Sequence, residues 1–196
     1  MGTPIEPMTL AFKVAAGLAF LAFVALRPSP FLRIVAACFV GQVVYAMVQD
    51  QFSARLCVEY FTVLHPRIGT LDDPTMLGLA WGFLAGSSGG MAMGLVVGIA
   101  ATFGKRPPVG IDRLWRPLLL LFLAEAAVTA LCGASAYLNA GWMDMRMAEP
   151  TASVIPADRR LNCFAVGCAH LGTYVSAIVG SIVVVVWVLR ARRPVT

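Results

Sequence analysis

Five stretches of this chain, residues 8–26, 31–49, 74–103, 117–139 and 163–189, are apolar runs of nineteen residues or more. A helix needs about 20 such residues to cross the ~30 Å hydrocarbon core of a bilayer. A soluble domain of this size has nowhere to bury five of them. Only 13% of the 196 residues are charged and 59% are hydrophobic, with a mean hydropathy of +0.81. That composition excludes a water-soluble enzyme, a disordered chain and a disulfide-stapled secreted scaffold. The runs are continuous and do not alternate, so helices are expected and a transmembrane β-barrel is not. The expected fold is an all-α integral membrane helical bundle of five transmembrane helices, a single domain over residues 1–196.

Local chemistry marks the helix starts. Ser29-Pro30 and Asp73-Pro74 each offer an N-cap oxygen followed by a proline whose missing N–H costs nothing there, and Pro117 opens the fourth span similarly. The third span would be about 45 Å long as a helix, so it must tilt or project beyond the bilayer. Lys13 lies within the first span and is expected to snorkel to the nearby surface. The N-terminus has no basic stretch, so no cleaved signal peptide is expected. Glu6 stands where an N-myristoylation signal has Ser or Thr.

Basic residues set the expected orientation. Arg27, Arg33, Lys105, Arg106, Arg113, Arg116, Arg190, Arg192 and Arg193 fall on one side, nine against five (Arg55, Arg67, Arg146, Arg159, Arg160) on the other. Cytoplasmic loops carry the excess of Lys and Arg, which predicts an inner (plasma) membrane orientation with the N-terminus outside and the C-terminus cytoplasmic. The net charge of +5 then reports topology, and no nucleic acid is expected as a partner. Trp81 and Trp142 are expected at the outer interface, Trp115 and Trp187 at the inner one.

The third span carries Gly78, Gly82, Gly86, Gly90, Gly94 and Gly98, one glycine every fourth residue, in the manner of a glycine zipper. Each four-residue step drifts a helical stripe by roughly 40°, so one straight neighbour cannot follow all six. Either one partner crosses right-handed or successive glycines meet different helices. The expected role is close helix packing. A self-association seam and the wall of a narrow conduit are the sharper alternatives.

Polar residues gather in the outer half. Gln42, Tyr45 and Gln49 share one face of span two, and His170, Thr173 and Tyr174 one face of span five. Ser87, Ser88, Ser135 and Tyr137 join them at similar depth. In hydrocarbon such groups need partners or water and are expected to converge inside the bundle. That convergence is either a packing network or a polar cavity for a small or amphipathic ligand. Glu125 is the one carboxylate deep in a span, with about 8 Å of depth separating it from His170 by helical rise, too far for direct contact. It is expected to be protonated or bonded to a neighbouring helix.

The outer segment 50–73 is chemically dense. Phe52, Leu56, Tyr60 and Val63 or Leu64 repeat at helical spacing against a polar stripe of Gln51, Arg55 and Glu59, which suggests an outer loop or amphipathic helix ended by Pro66 and Gly69. Arg55 and Glu59 are spaced to pair, and Asp50 to meet Lys13. The run from Gln49 to Pro66, Gln-Asp-Gln-Phe-Ser-Ala-Arg-Leu-Cys-Val-Glu-Tyr-Phe-Thr-Val-Leu-His-Pro, resembles the signature of an uncharacterised family of small bacterial multi-pass integral membrane proteins. The stretch Asp73 to Gly82 and the pair Ala169-His170 agree with it, whereas the glycines beyond Gly82 and Glu125 depart from its pattern. The resemblance implies a multi-pass membrane fold over about residues 42–190 and assigns no activity.

Cys57 and Cys163 fall on the outer side, where a disulfide between them is open, while Cys38, Cys132 and Cys168 lie within spans. No metal, cofactor or catalytic motif is expected: there is no Cys-x-x-Cys, His-Glu-x-x-His, Walker loop or dinucleotide fingerprint. The candidate ligand-binding residues are Gln42, Tyr45, Gln49, Asp50, Arg55, Glu59, His65, His170 and Tyr174. The favoured reading is a non-enzymatic protein that binds or moves a small or lipid-like molecule. The alternatives are an accessory or assembly subunit of a larger membrane complex, and an enzyme acting on a lipid or quinone with His65, Glu59 or Asp50 as acid or base. Partners are the lipid bilayer and, through the glycine ladder, other membrane proteins or a second copy.

Overall fold

A computed structural model describes residues 4–142 and 147–193. Five of its helices are long and apolar enough to cross a membrane: α1 Pro7–Leu26, α2 Pro30–Leu56, α4 Pro74–Thr102, α5 Ile111–Asn139 and α7 Arg160–Ala191. Two single-turn pieces, α3 Glu59–Thr62 and α6 Thr151–Val154, lie in the connections at one end. The protein is an all-α bundle. Its outward faces carry Leu120, Leu131, Ile178 and Ile182, each more than half exposed. Apolar surface of that extent fits lipid as the surrounding solvent.

Capping fixes the helix starts as their chemistry requires. The Ser29 side chain accepts from the Leu32 N–H at 3.2 Å and that of Asp73 from the Met76 N–H at 2.9 Å. The fourth span begins earlier than expected, with Gly110 as its N-cap and Pro117 inside it. Asp112, Arg113 and Arg116 had marked that turn as a loop; a charged first turn is compatible with a helix whose end lies at the headgroups. Span two also outruns its apolar stretch. It continues to Leu56, because Asp50 and Ser53 find partners inside the bundle.

α2 pairs with α4 along most of its length and α5 with α7, and packing of α4 against α7 and of α2 against α5 joins the two pairs. All six ladder glycines face α2, from Gly78 beside Asp50 to Gly98 beside Phe31. A Cβ at Gly86 would stand 2.7 Å from the Gln42 carbonyl oxygen, and one at Gly90 2.8 Å from that of Cys38. Backbone meets backbone there, and only hydrogen fits between. One partner helix follows the whole stripe, the close packing expected of it, and α2 occupies the face that the alternative of a self-association seam would use. α1 leans on α2 and α4 and buries only Val24.

Of the two alternatives for 50–73, the structure has the loop: α2 runs on to Leu56, α3 is a single turn, and no continuous amphipathic helix forms. The chain becomes extended at Cys57, so Phe52 and Leu56 stay outward on α2 while Phe61 turns into the protein. Ile5 bridges to Ile68 through Ile5 N–H to the Arg67 carbonyl at 2.7 Å, tying the N-terminus to this α3 end. Gly69 sits at φ 51°, a turn that a side chain would strain. At the opposite end, Arg192 is buried and donates to the carbonyls of Pro107 and Arg106 at 2.9 and 2.7 Å. A residue read from sequence as a topology charge therefore also clamps the α4–α5 connection to α7.

Candidate functional site

Two cavities meet inside the α3 half of the bundle. The larger, about 640 Å³, is walled by α2, α4 and α7. α2 contributes Gln42, Tyr45, Gln49 and Asp50 from the expected shared face; α7 contributes His170, Thr173 and Tyr174 from theirs. α4 contributes Ala85, Gly86, Gly89 and Ala92, too small to fill the space, with Met93 and Val96 further along. Beyond these the wall is largely aliphatic, with Ile178, Ile182, Val185 and Val186, and the cavity is open sideways along α7, where Ile178 and Ile182 are also outward-facing. A smaller cavity of about 300 Å³ lies toward Ile5 and is lined by Lys13, Phe61, His65 and Trp81. Asp50, Ala85, His170 and Tyr174 line both and form the junction.

His170 Nε2 lies 3.5 Å from Asp50 Oδ1 and 3.2 Å from Ser53 Oγ. Both contacts fall on one ring nitrogen. A Ser–His–Asp relay needs the carboxylate on one nitrogen and the hydroxyl on the other, so these three residues do not form one. Asp50 is 3% exposed, and His170 is the partner it meets in place of the expected Lys13. Tyr60 stacks on the His170 ring at 4.7 Å between centroids. Burial pushes the Tyr60 phenol well above the usual range, which keeps it protonated. His65 Nδ1–H donates to the Tyr60 carbonyl at 2.8 Å, and its ring meets Trp81 edge-on at 4.9 Å. Trp81 is thus turned inward, away from the interfacial belt expected for it, whereas Trp115, Trp142 and Trp187 are exposed.

A second polar layer lies deeper. Gln42 Nε2 donates to Glu125 Oε1 at 2.8 Å, and the hydroxyls of Tyr45, Thr129 and Thr173 form a triangle with edges of 2.7, 3.2 and 2.6 Å. Glu125 is therefore bonded to a neighbouring helix. Other expected members stay apart. Ser87 and Ser88 donate to the Leu84 carbonyl of their own helix, and Ser135 and Tyr137 face outward.

Arg55 and Glu59 do not pair and line neither cavity. Arg55 donates to Gln51 Oε1 at 2.7 Å and Thr75 Oγ1 at 2.9 Å, while Glu59 meets Arg159 at 3.4 Å. The turn at Cys57 separates the two helical segments and their stripes. Cys57 and Cys163 are joined as a disulfide with Cα atoms 5.3 Å apart, within the usual span of such a bridge. Glu59 lies close to both sulfurs, but the bridge and Arg159 already engage these groups. Residues that sequence reasoning left out of the site are Ser53, Tyr60, Trp81, Thr129 and Lys13. For Ser53 a signal existed, since it stands three residues after Asp50 and four after Gln49, on their face of α2. Comparison with known protein families, with curated proteins and with solved structures finds no match.

Proposed function

We propose that the larger cavity holds a single-chain amphipathic, lipid-like molecule, which the protein binds or helps to move. The observation that carries this reading is the polarity of the wall: on α7 it is aliphatic from Ala177 to Val186 apart from Ser181, and it is polar toward Gln49, Asp50 and His170. A tail lying beside Ile178, Ile182 and Val186 would direct its head to Asp50 and His170. Roughly 300–1,000 Å³ is the range of sites for drug-sized ligands, and 640 Å³ suits one chain better than two. Among the described residues the lining holds one carboxylate and no Lys or Arg, so an uncharged hydroxyl or carbonyl head, or an amine, suits it better than an acidic one. The excess of basic residues at the end opposite α3 supports a plasma-membrane orientation with that end cytoplasmic. Tags on the two termini reporting opposite compartments would agree with this, and the same compartment would not.

Native mass spectrometry of protein released in mild detergent tests the binding. The parent should carry a copurified small molecule that is lost from Ala92→Phe, where a ring would occupy the cavity. A parent that carries nothing, and gains no thermal stability from added long-chain alcohols or quinones, would contradict the reading. A second reading, an accessory subunit, draws on α1, whose Phe12, Leu18 and Phe23 stand exposed on a helix that buries one residue. A partner protein copurifying at fixed stoichiometry, and lost when those three become alanine, would favour it.

A further inference from the structure

Two buried oxygens, Gln42 Oε1 and Glu125 Oε2, have no hydrogen-bond partner among the described residues, although their side chains bond to each other through Gln42 Nε2 and Glu125 Oε1 at 2.8 Å. Glu125 is fully buried and Gln42 is 6% exposed. A carboxyl beside a primary amide has a particular freedom. With the amide nitrogen turned toward it, as here, the ionised form is held by a charge-assisted bond. With the amide rotated, its oxygen accepts from the protonated form. One neighbour thus serves both protonation states without movement of either helix. In the ionised form the amide supplies one neutral donor to the charge and Oε2 stays without a protein partner among the described residues, so exchange of this proton requires water to reach the pair.

We propose that Glu125 and Gln42 form a membrane-embedded site for one exchangeable proton, reached from the α3 end through the two cavities. Gln42 lines the larger cavity, which joins the smaller one at Asp50 and His170, and Lys13 and His65 line the latter. The cavities therefore lead from Lys13 and His65, past Asp50 and His170, to Gln42; Glu125 lines neither and lies behind Gln42, joined to it by the 2.8 Å bond. Asp50 and Gln42 are about 12 Å apart along α2 by helical rise, so the pair is a separate site from the Asp50–His170 junction.

The surroundings of Glu125 are otherwise uncharged. From α2 come Gln42 and the titratable Cys38 and Tyr45 one turn to either side, and α5 itself carries Cys132 two turns on. α7 contributes Thr173, whose hydroxyl meets Tyr45 and Thr129, with His170 one turn beyond it. α4 presents Gly86 and Gly90 to Gln42. Exchange needs water in the larger cavity, so a lipid-like molecule bound there would slow it.

The test is infrared difference spectroscopy on the full chain in lipid nanodiscs. It uses a variant in which the three other glutamates, Glu6, Glu59 and Glu149, are glutamine. Made by cell-free synthesis with glutamate carrying ¹³C at its side-chain carboxyl and with transamination inhibited, this protein has Glu125 as its one labelled carboxyl. Stepping the pH up and back should remove and restore a carboxylic-acid carbonyl band that the label displaces. Gln42→Leu should shift the pH at which that band changes. A label-sensitive band constant across the range, no label-sensitive band at all, or a pH response that ignores the label and disappears in Asp50→Asn would each overturn the proposal. A label-sensitive response left unchanged by Gln42→Leu would overturn the role of Gln42.

Discussion

His170 is held from three directions. Tyr60 stacks on its face, and Ser53 and Asp50 meet one nitrogen. Replacing it with phenylalanine keeps the ring and removes the polar contacts, so the buried Asp50 loses the partner that justifies its place. A buried polar group without a partner costs about 1–3 kcal/mol. His170→Phe should lower thermal stability in detergent by an amount in that range, and adding Asp50→Asn should recover part of the loss. Equal loss in both variants would mean that the contact contributes little. At this scale the sequence was informative where residues repeat. Gln42, Tyr45 and Gln49 announce their face by spacing, as do His170, Thr173 and Tyr174. Trp81 and Tyr60 carry no such signal. Their inward turn depends on how the chain bends after Cys57, which no period encodes.

Helix pairs show the same division. The glycine ladder said that a helix must come close, but six glycines drifting around α4 did not say which helix. The answer is α2 throughout. Two neighbouring glycines on α4 separate packing from composition. A methyl at Gly90 would meet the Cys38 carbonyl and the Phe39 Cα at 2.8 Å, whereas at Gly89 the nearest atom is Gln42 Cγ at 3.7 Å. Gly90→Ala should therefore destabilise the protein by about 1–3 kcal/mol, the usual range for overpacking, and Gly89→Ala should be neutral or stabilising. Yield and unfolding temperature in detergent read both. Similar losses at the two positions would refute the close approach of α2 and α4. Helix existence was legible from hydropathy, but helix ends were not. α2 and α5 both run into polar sequence because a bilayer helix may carry charged turns at the headgroups or bury polar ones against a neighbour.

For the molecule as a whole, the α3 end is the tied end. The Cys57–Cys163 bridge closes a loop of 106 residues containing α4 and α5. A bridge across a long loop stabilises by about 2–4 kcal/mol. Cys57→Ser with Cys163→Ser should lower stability accordingly, and reduction should add two thiols to the count made on the unfolded parent, since both cysteines are buried in the folded protein. A parent whose thiol count is the same before and after reduction would show that the bridge is absent. The bridge, the Ile5–Ile68 pairing and the stacking of Tyr60 all fix this end around the junction of the two cavities. The opposite end has only Arg192 as a buried clamp among the described residues. An experimental structure in lipid nanodiscs tests the central claim directly. The account predicts elongated non-protein density between α4 and α7, with its polar end within hydrogen-bond distance of Asp50 or His170. Side chains of α4 and α7 closing over Gly89 and Ala92, with no space left between the helices, would contradict it.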